Sequence, residues 1–502
     1  MTNWDDEFST PTPAPAENTF ADFDAADDMA DFHAEDFAPP EPERPEDDSS
    51  TLAPPFDIRG IDLLSPPGFV GDVAAWIDSQ CRYPRRRLAV ASAIVSVGNI
   101  GGLSHQDTYQ DATANMLAFC VAASATGKEA VQQATAELHR ATGLHRAMVG
   151  AIKSTKEILE NLIEHQPSYF VIDEFGIFLT KVKNAQTRGG ASHLEDVNGT
   201  IMSAYSKANG YLPLGGREKR ELRKQFATAV FKAREDGKEN EHAEKMLKMI
   251  DNGLDRPFLS LVGYTTPVTF EGVMDGRSAT EGFIGRAILV QERDINPMPR
   301  ADFVKKEMPP GLRMRLMQLY SAGSFSTDDT ENDRIEFYGE RVAVETTPEA
   351  KVMLNDALKW FLEYAEDRKH DVGEAAVAMA RRSFELVSKI SFILALAARQ
   401  RTEEHVRWAY AYIRQELNAK IALVFANDNQ KDKSIPVLAA RIQGYIDPEK
   451  GTSASVIANR MKMTVADVEN ALEQMSTAGI VYSEIGKRKY KGKPVTVWRM
   501  RE

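Results

Sequence analysis

The chain has 502 residues, too many for one ordinary core, and its 43 % hydrophobic and 27 % charged residues match a globular protein of several domains. No apolar run approaches the roughly 20 residues that cross a bilayer, no signal-peptide pattern is present, and two cysteines, Cys81 and Cys120, build no disulfide framework. A cytoplasmic protein with no membrane partner is expected. The net charge of −13 argues against nucleic acid only if it is spread evenly; residues 1–50 hold 16 of the 74 acids and one base, Arg44, leaving 58 acids against 60 bases elsewhere.

Residues 1–55 lack any helical or alternating apolar period, which predicts a disordered acidic tail. Phe20, Phe23, Phe32 and Phe37 among the acids leave two roles open. One is a solubilising tail, the other a segment that recruits a replication-protein partner or occupies a basic groove. Residues 56–110 read as an N-terminal helical segment. Phe69, Val70, Val73, Ala74, Trp76 and Ile77 recur at helical spacing, and Leu88 to Ile100 is apolar on most faces, which predicts burial. Between them Arg82-Tyr83-Pro84-Arg85-Arg86-Arg87 fits either a phosphate contact or a solvated helix junction.

Residues 111–346 carry four strand-length apolar runs, Met116–Ala122, Tyr169–Ile172, Phe258–Val262 and Ala287–Gln291, separated by helical segments such as Glu129–Thr142. That alternation predicts a mostly parallel sheet with helices on both faces. Residues 183–250 interrupt it with a polar, glycine-containing stretch and one charged helix from about Lys219 to Asp251. Residues 347–430 read as a helical subdomain opened by Pro348, and 434–502 as short helices followed by a hairpin.

The sharpest local signal is Ala122-Ala123-Ser124-Ala125-Thr126-Gly127-Lys128-Glu129, between a strand and a helix. Backbone N–H groups of such a loop cradle phosphates and the lysine reaches the β/γ oxygens, so Ser124, Ala125, Thr126, Gly127, Lys128 and Glu129 are the expected ATP contacts. Ala122 stands where the strict motif has glycine. Glu129 replaces the hydroxyl that ligates Mg²⁺, and an acid there either binds the metal or repels phosphate. Forty-five positions after Lys128, an apolar run ends in Asp173-Glu174, which places Asp173 at the magnesium and Glu174 as the base that activates water. Thr265, with Thr266 beside it, ends a third strand where a hydroxyl can sense the γ-phosphate. Arg286, just before a fourth strand, is the candidate arginine finger toward a neighbouring subunit.

From about Pro66 to Asn427 the chain resembles a helicase-like family of phage, prophage and mobile-element proteins. The residues that carry the likeness are Pro66-Pro67-Gly68-Phe69-Val70-Gly71, Ser124 to Lys128, Val171-Ile172-Asp173-Glu174, Leu261 to Pro267, Gly282 to Arg286, Phe392 to Ala397 and Glu404-His405-Val406. The resemblance implies a RecA/AAA-like P-loop NTPase core, assembly into an oligomer, expected here as a hexamer, and a place in replication of mobile DNA.

Two regions are expected to face DNA. Residues 434–502 read as a winged helix, with Ser455–Met461 and Thr464–Ala478 as its second and third helices and Lys487, Arg488, Lys489, Tyr490, Lys491 and Lys493 at the wing tip. A winged helix that binds protein instead is the competing reading. Arg217, Lys219 and Arg220, between the second and third strands, suit a DNA-gripping loop, and a solvated insertion explains them nearly as well. Three functions remain: a ring-forming DNA helicase, a loader or initiator ATPase that unwinds nothing itself, and a nucleotide-binding scaffold.

Overall fold

The computed structural model describes residues 52–188, 196–237, 239–271, 282–292, 297–322, 324–325, 334–367, 369–431, 442–443, 445–447, 451–461, 463–477, 480–486 and 495–500. Of the predicted acidic tail, residues 1–51 lie outside that set. Its last residues do not stay free: Leu52 packs on the core and the Ala53 carbonyl accepts from Trp360 Nε1 at 2.9 Å.

Five strands form the central sheet: β1 (Leu117–Val121), β2 (Met148–Val149), β3 (Pro167–Ile172), β4 (Phe258–Thr265) and β5 (Ala287–Gln291). They are all parallel, in the order β2-β3-β4-β1-β5. Every residue of β1 and β4 is buried, which is why they read as continuous apolar runs: helices cover both faces. The four expected strands are present, and β2, only two residues long, is an addition at the edge.

Helices α1 (Phe69–Ser79) and α2 (Arg86–Gly101) precede the sheet, and α2 is buried at every position from Leu88 to Gly101. It lies against β3 and β4, where Ser92 and Ser96 pair with the hydroxyls of Tyr264 (2.8 Å) and Tyr169 (3.2 Å). These serines give two buried tyrosine hydroxyls hydrogen-bond partners where water does not reach. After β1 comes α3 (Lys128–Ala141), then α4 (Thr155–Glu164) and, beyond β3, α5 (Phe175–Arg188). Phe175 stacks on Phe119 of β1 at 5.1 Å, and a Cβ placed at Gly263 of β4 would lie 2.3 Å from the Phe175 ring, so that strand position admits no side chain.

The insertion between β3 and β4 holds α6 (Val197–Ser206), α7 (Gly216–Glu235) and α8 (Glu241–Asn252). The single charged helix expected over 219–251 is therefore two. The chain turns at Gly237 (φ 69°), and Lys219 and Arg234 of α7 bond back to Asp251 and Glu244 of α8. Beyond β5 come α9 (Pro310–Ser321), α10 (Pro348–Asp367), α11 (Lys369–Ala395) and α12 (Glu403–Lys431). α12 covers the outer edge of β5: Glu416 accepts from the Leu289 N–H and Lys420 donates to the Ala287 carbonyl, both at 2.6 Å. An edge strand left bare would invite pairing with another chain. On α11, buried Lys389 donates to Thr113 Oγ1 (2.6 Å) and to Asn115 Oδ1 (2.8 Å) and the Asn115 carbonyl (3.1 Å), two residues before β1.

At the C-terminal end, α13 (Ala454–Met461) and α14 (Val465–Thr477) precede an antiparallel hairpin of β6 (Val481–Gly486) and β7 (Val495–Met500). They enclose their own core of Ile457, Val468, Leu472, Met475, Val481 and Trp498.

Candidate nucleotide site

The connection leaving β1 runs toward β2, and the one leaving β4 runs the opposite way, toward β5. The crevice between the carboxyl ends of β1 and β4 is thus the switch point at which open parallel sheets bind ligands. The loop from Ala122 to Gly127 fills it. Ala125 (φ 60°) and Gly127 (φ 90°) take left-handed conformations, Thr126 Oγ1 donates to the Ala123 carbonyl at 2.7 Å, and no side chain caps the start of α3. First-turn N–H groups without a side-chain cap are what a phosphate needs.

Lys128 reaches across the crevice and donates to the carbonyls of Ala122 (3.3 Å) and Thr265 (3.2 Å). Burial pushes its pKa below the ordinary value, against the pull of Asp173 and Glu174. Both acids are exposed at the end of β3, and the Asp173 carboxylate accepts the Glu174 N–H at 2.9 Å. Glu174 sits at φ 51°, a costly conformation for a side-chain-bearing residue and one that clusters at functional sites. Thr265 is 2 % exposed and its Oγ1 accepts the Gly176 N–H at 3.2 Å, whereas the more open Thr266 pairs with Thr269 at 2.5 Å.

These residues line one cavity of about 460 Å³: Ser124, Ala125, Thr126, Gly127, Lys128, Glu129, Asp173, Glu174, Thr265 and Thr266, with Ile177, Thr269 and Tyr83. The volume suits a nucleotide. No three metal-ligating side chains converge among the described residues. That donor set fits Mg²⁺, which takes one or two carboxylates and completes its shell with phosphate and water.

Two contributors come from the basic run between α1 and α2. Arg85 is fully buried, not solvated, and its Nε donates to the Thr126 carbonyl at 2.5 Å, while its N–H is held by Asp78 at 2.8 Å. Glu292, just past β5, stands near it; burial pushes that carboxyl up to about 7, opposed by Arg85 and Arg87. Tyr83 packs against Gly127. Nothing in the motif spacing marks either residue, because the contacts close over more than forty positions of chain.

Arg286 lies elsewhere. It ends a short 3₁₀ turn before β5, half-buried, with Nη1 donating to the Gly282 carbonyl at 3.1 Å and resting 3.8 Å from Met202 Sδ. Ala287 pairs with Leu117 at the start of β1, whereas the cavity opens beyond Val121 at its end. At least four strand steps, roughly 13 Å, separate Arg286 from the Ala122–Gly127 loop along the strand direction.

A family model described as the C-terminal part of replication protein A matches residues 418–487, from α12 to the end of β6. No curated protein matches. Among solved structures, the Aeropyrum pernix ORC1 protein in complex with DNA is similar at 12 % identity, over 77 % of this chain and 83 % of that chain, with a TM-score of 0.17.

Of the residues expected to face DNA, Arg217, Lys219 and Arg220 fall in the first turns of α7 and not in a loop; Arg217 and Arg220 are exposed, and Arg217 pairs with Glu221 at 3.0 Å. The wing-tip residues Lys487 to Lys493 lie outside the described residues. The exposed positions of α14 include Glu469, Asn470 and Glu473.

Proposed function

We propose that this chain is a P-loop ATPase of the RecA/AAA kind that uses ATP and Mg²⁺ and acts on DNA as a ring-forming, helicase-type motor. The observation that carries the reading is the meeting of Lys128 and the Asp173-Glu174 pair, 45 positions apart, in one cavity over the β1–β4 crevice. The loop N–H groups hold the phosphates and Lys128 leaves its two carbonyl partners for the β/γ oxygens. Asp173 would hold a Mg²⁺, with Glu129 placed to take part through water, and the ion would supply positive charge against the phosphates. Glu174 orients the attacking water and takes its proton. Thr265 acts through Gly176, fixing the turn that carries Glu174.

Arg286 acts, in this reading, on the nucleotide of an adjacent subunit, since it stands at the amino end of the strands and its own loop at their carboxyl end. The DNA path runs past Arg217, Lys219 and Arg220 and the wing residues Lys487, Arg488, Lys489, Tyr490, Lys491 and Lys493. Strand displacement on a forked duplex with no other helicase present tests the motor. Expected is ATP-dependent displacement that is lost in Lys128→Ala.

A second reading, an initiator or loader, is favoured by α14. A third helix whose exposed face carries Glu469 and Glu473 repels phosphate, and suits a winged helix that docks a protein. On that reading ATP is hydrolysed and no strand is displaced.

A further inference from the structure

Tyr83 is the aromatic member of a cavity otherwise lined by hydroxyls, carboxylates, backbone and aliphatic groups. It is half-buried, and its Cβ and Cδ2 lie 3.4 and 3.6 Å from the point where a Cβ on Gly127 would sit, so the ring rests against the start of α3. The lysine, the two acids and Thr266 supply what the terminal phosphates need and offer nothing to a flat heterocycle. A tyrosine ring does offer that, because every nucleobase has a π-face to stack on an aromatic side chain.

The ring is also held in place. Arg85, two residues on, is fully buried and bonded to the Thr126 carbonyl, with Asp78 on its backbone and Pro84 between the two. Asp78 in turn binds Arg300 Nη2 at 2.5 Å. The segment is thereby locked to the phosphate loop from behind while Tyr83 faces the cavity, and a ring that cannot wander loses little entropy on stacking.

We infer that Tyr83 is the nucleobase platform of this site, and that Arg85 positions both the platform and the phosphate loop. The inference rests on the ATP-site reading above and adds the subsite that reads the base.

The test compares ATP with inorganic tripolyphosphate, which carries the phosphates and no base, by titration calorimetry on the full chain. Tyr83→Ala should weaken ATP binding about tenfold or more, the scale of losing a base–aromatic stack, and leave tripolyphosphate unchanged. Tyr83→Phe should retain ATP affinity, since stacking needs the ring and not the hydroxyl. Equal ATP affinity in Tyr83→Ala and the parent overturns the platform while the ATP site stands. So does a loss in Tyr83→Phe as large as in Tyr83→Ala, or an equal loss for tripolyphosphate. A parent protein that binds neither compound overturns the ATP-site reading itself. Tyr83→Trp gives an independent readout: ATP should quench the introduced indole and tripolyphosphate should not, and an ATP-insensitive indole refutes the inference.

Discussion

The ammonium of Lys128 and the main-chain carbonyl of Thr265 are joined by a hydrogen bond of 3.2 Å that spans the crevice between β1 and β4. On the proposed ATP-site reading, a lysine so placed is stored at the position from which a phosphate would withdraw it. Removing it takes away the cation for the β/γ oxygens, and Lys128→Ala should abolish nucleotide binding. Glu174→Gln keeps the cavity's shape and a polar group; it should bind ATP normally and turn over at least a hundredfold more slowly, the low end of general-base contributions. Unchanged turnover in Glu174→Gln would remove that residue from the chemistry.

The placement of Arg286 at the amino end of the strands, away from the Ala122–Gly127 loop at their carboxyl end, makes a mixing experiment decisive. Arg286→Ala subunits should bind ATP and hydrolyse it about 10³–10⁵-fold more slowly, as for other trans-acting arginines. Mixed with Lys128→Ala subunits, which hold no nucleotide yet carry the arginine, part of the rate should return. Absence of rescue at every ratio, with subunit exchange verified, refutes a trans role.

Arg85 is a charge enclosed by the fold, bonded to the Thr126 carbonyl and facing Glu292. Arg85→Met keeps the apolar stem and leaves the Thr126 carbonyl without its donor, which should cost about 1–3 kcal/mol of stability. Urea melts of the variant and parent measure it, and a difference below 1 kcal/mol refutes the account.

Acid should weaken the fold through His139. The ring is fully buried, stacks on Tyr169 at 4.4 Å, and donates from Nδ1 to the Thr135 carbonyl; burial lowers its pKa from 6.5 to about 4. Between those values the unfolded chain binds a proton that the folded chain refuses. Its contribution is present above pH 6.5 and is lost as pH falls toward 4, about 3 kcal/mol over the window. Urea midpoints at pH 7 and pH 5 should therefore diverge less in His139→Gln than in the parent. Identical pH slopes in the two proteins exclude His139 as the source.

The four long strands and the meeting of Lys128 with Asp173 in one cavity were legible because burial on both sheet faces writes continuous apolar runs and because Lys128 and Asp173 keep a characteristic separation. The two-residue β2 carries no pattern long enough to read. The break between α7 and α8 was missed because charged residues continue on both sides of Gly237, and composition there does not record direction. The role of Arg85 was left open for a different reason: a run of arginines fits a phosphate contact and a solvated junction alike, and only the folded loop reveals that one member of it turns inward to the Thr126 carbonyl.

Lys389 has a mechanical consequence. It pins α11 six residues from that helix's C-terminal end to Asn115, whose own amide is tied to the carbonyls of Tyr205 (3.0 Å) and Leu259 (3.3 Å). Some twenty residues of helix, about 30 Å, lie on the other side of the pin. α11 is thereby tied, through one buried lysine, to the residue that leads into β1 and, through the amide of that residue, to α6 and β4 as well.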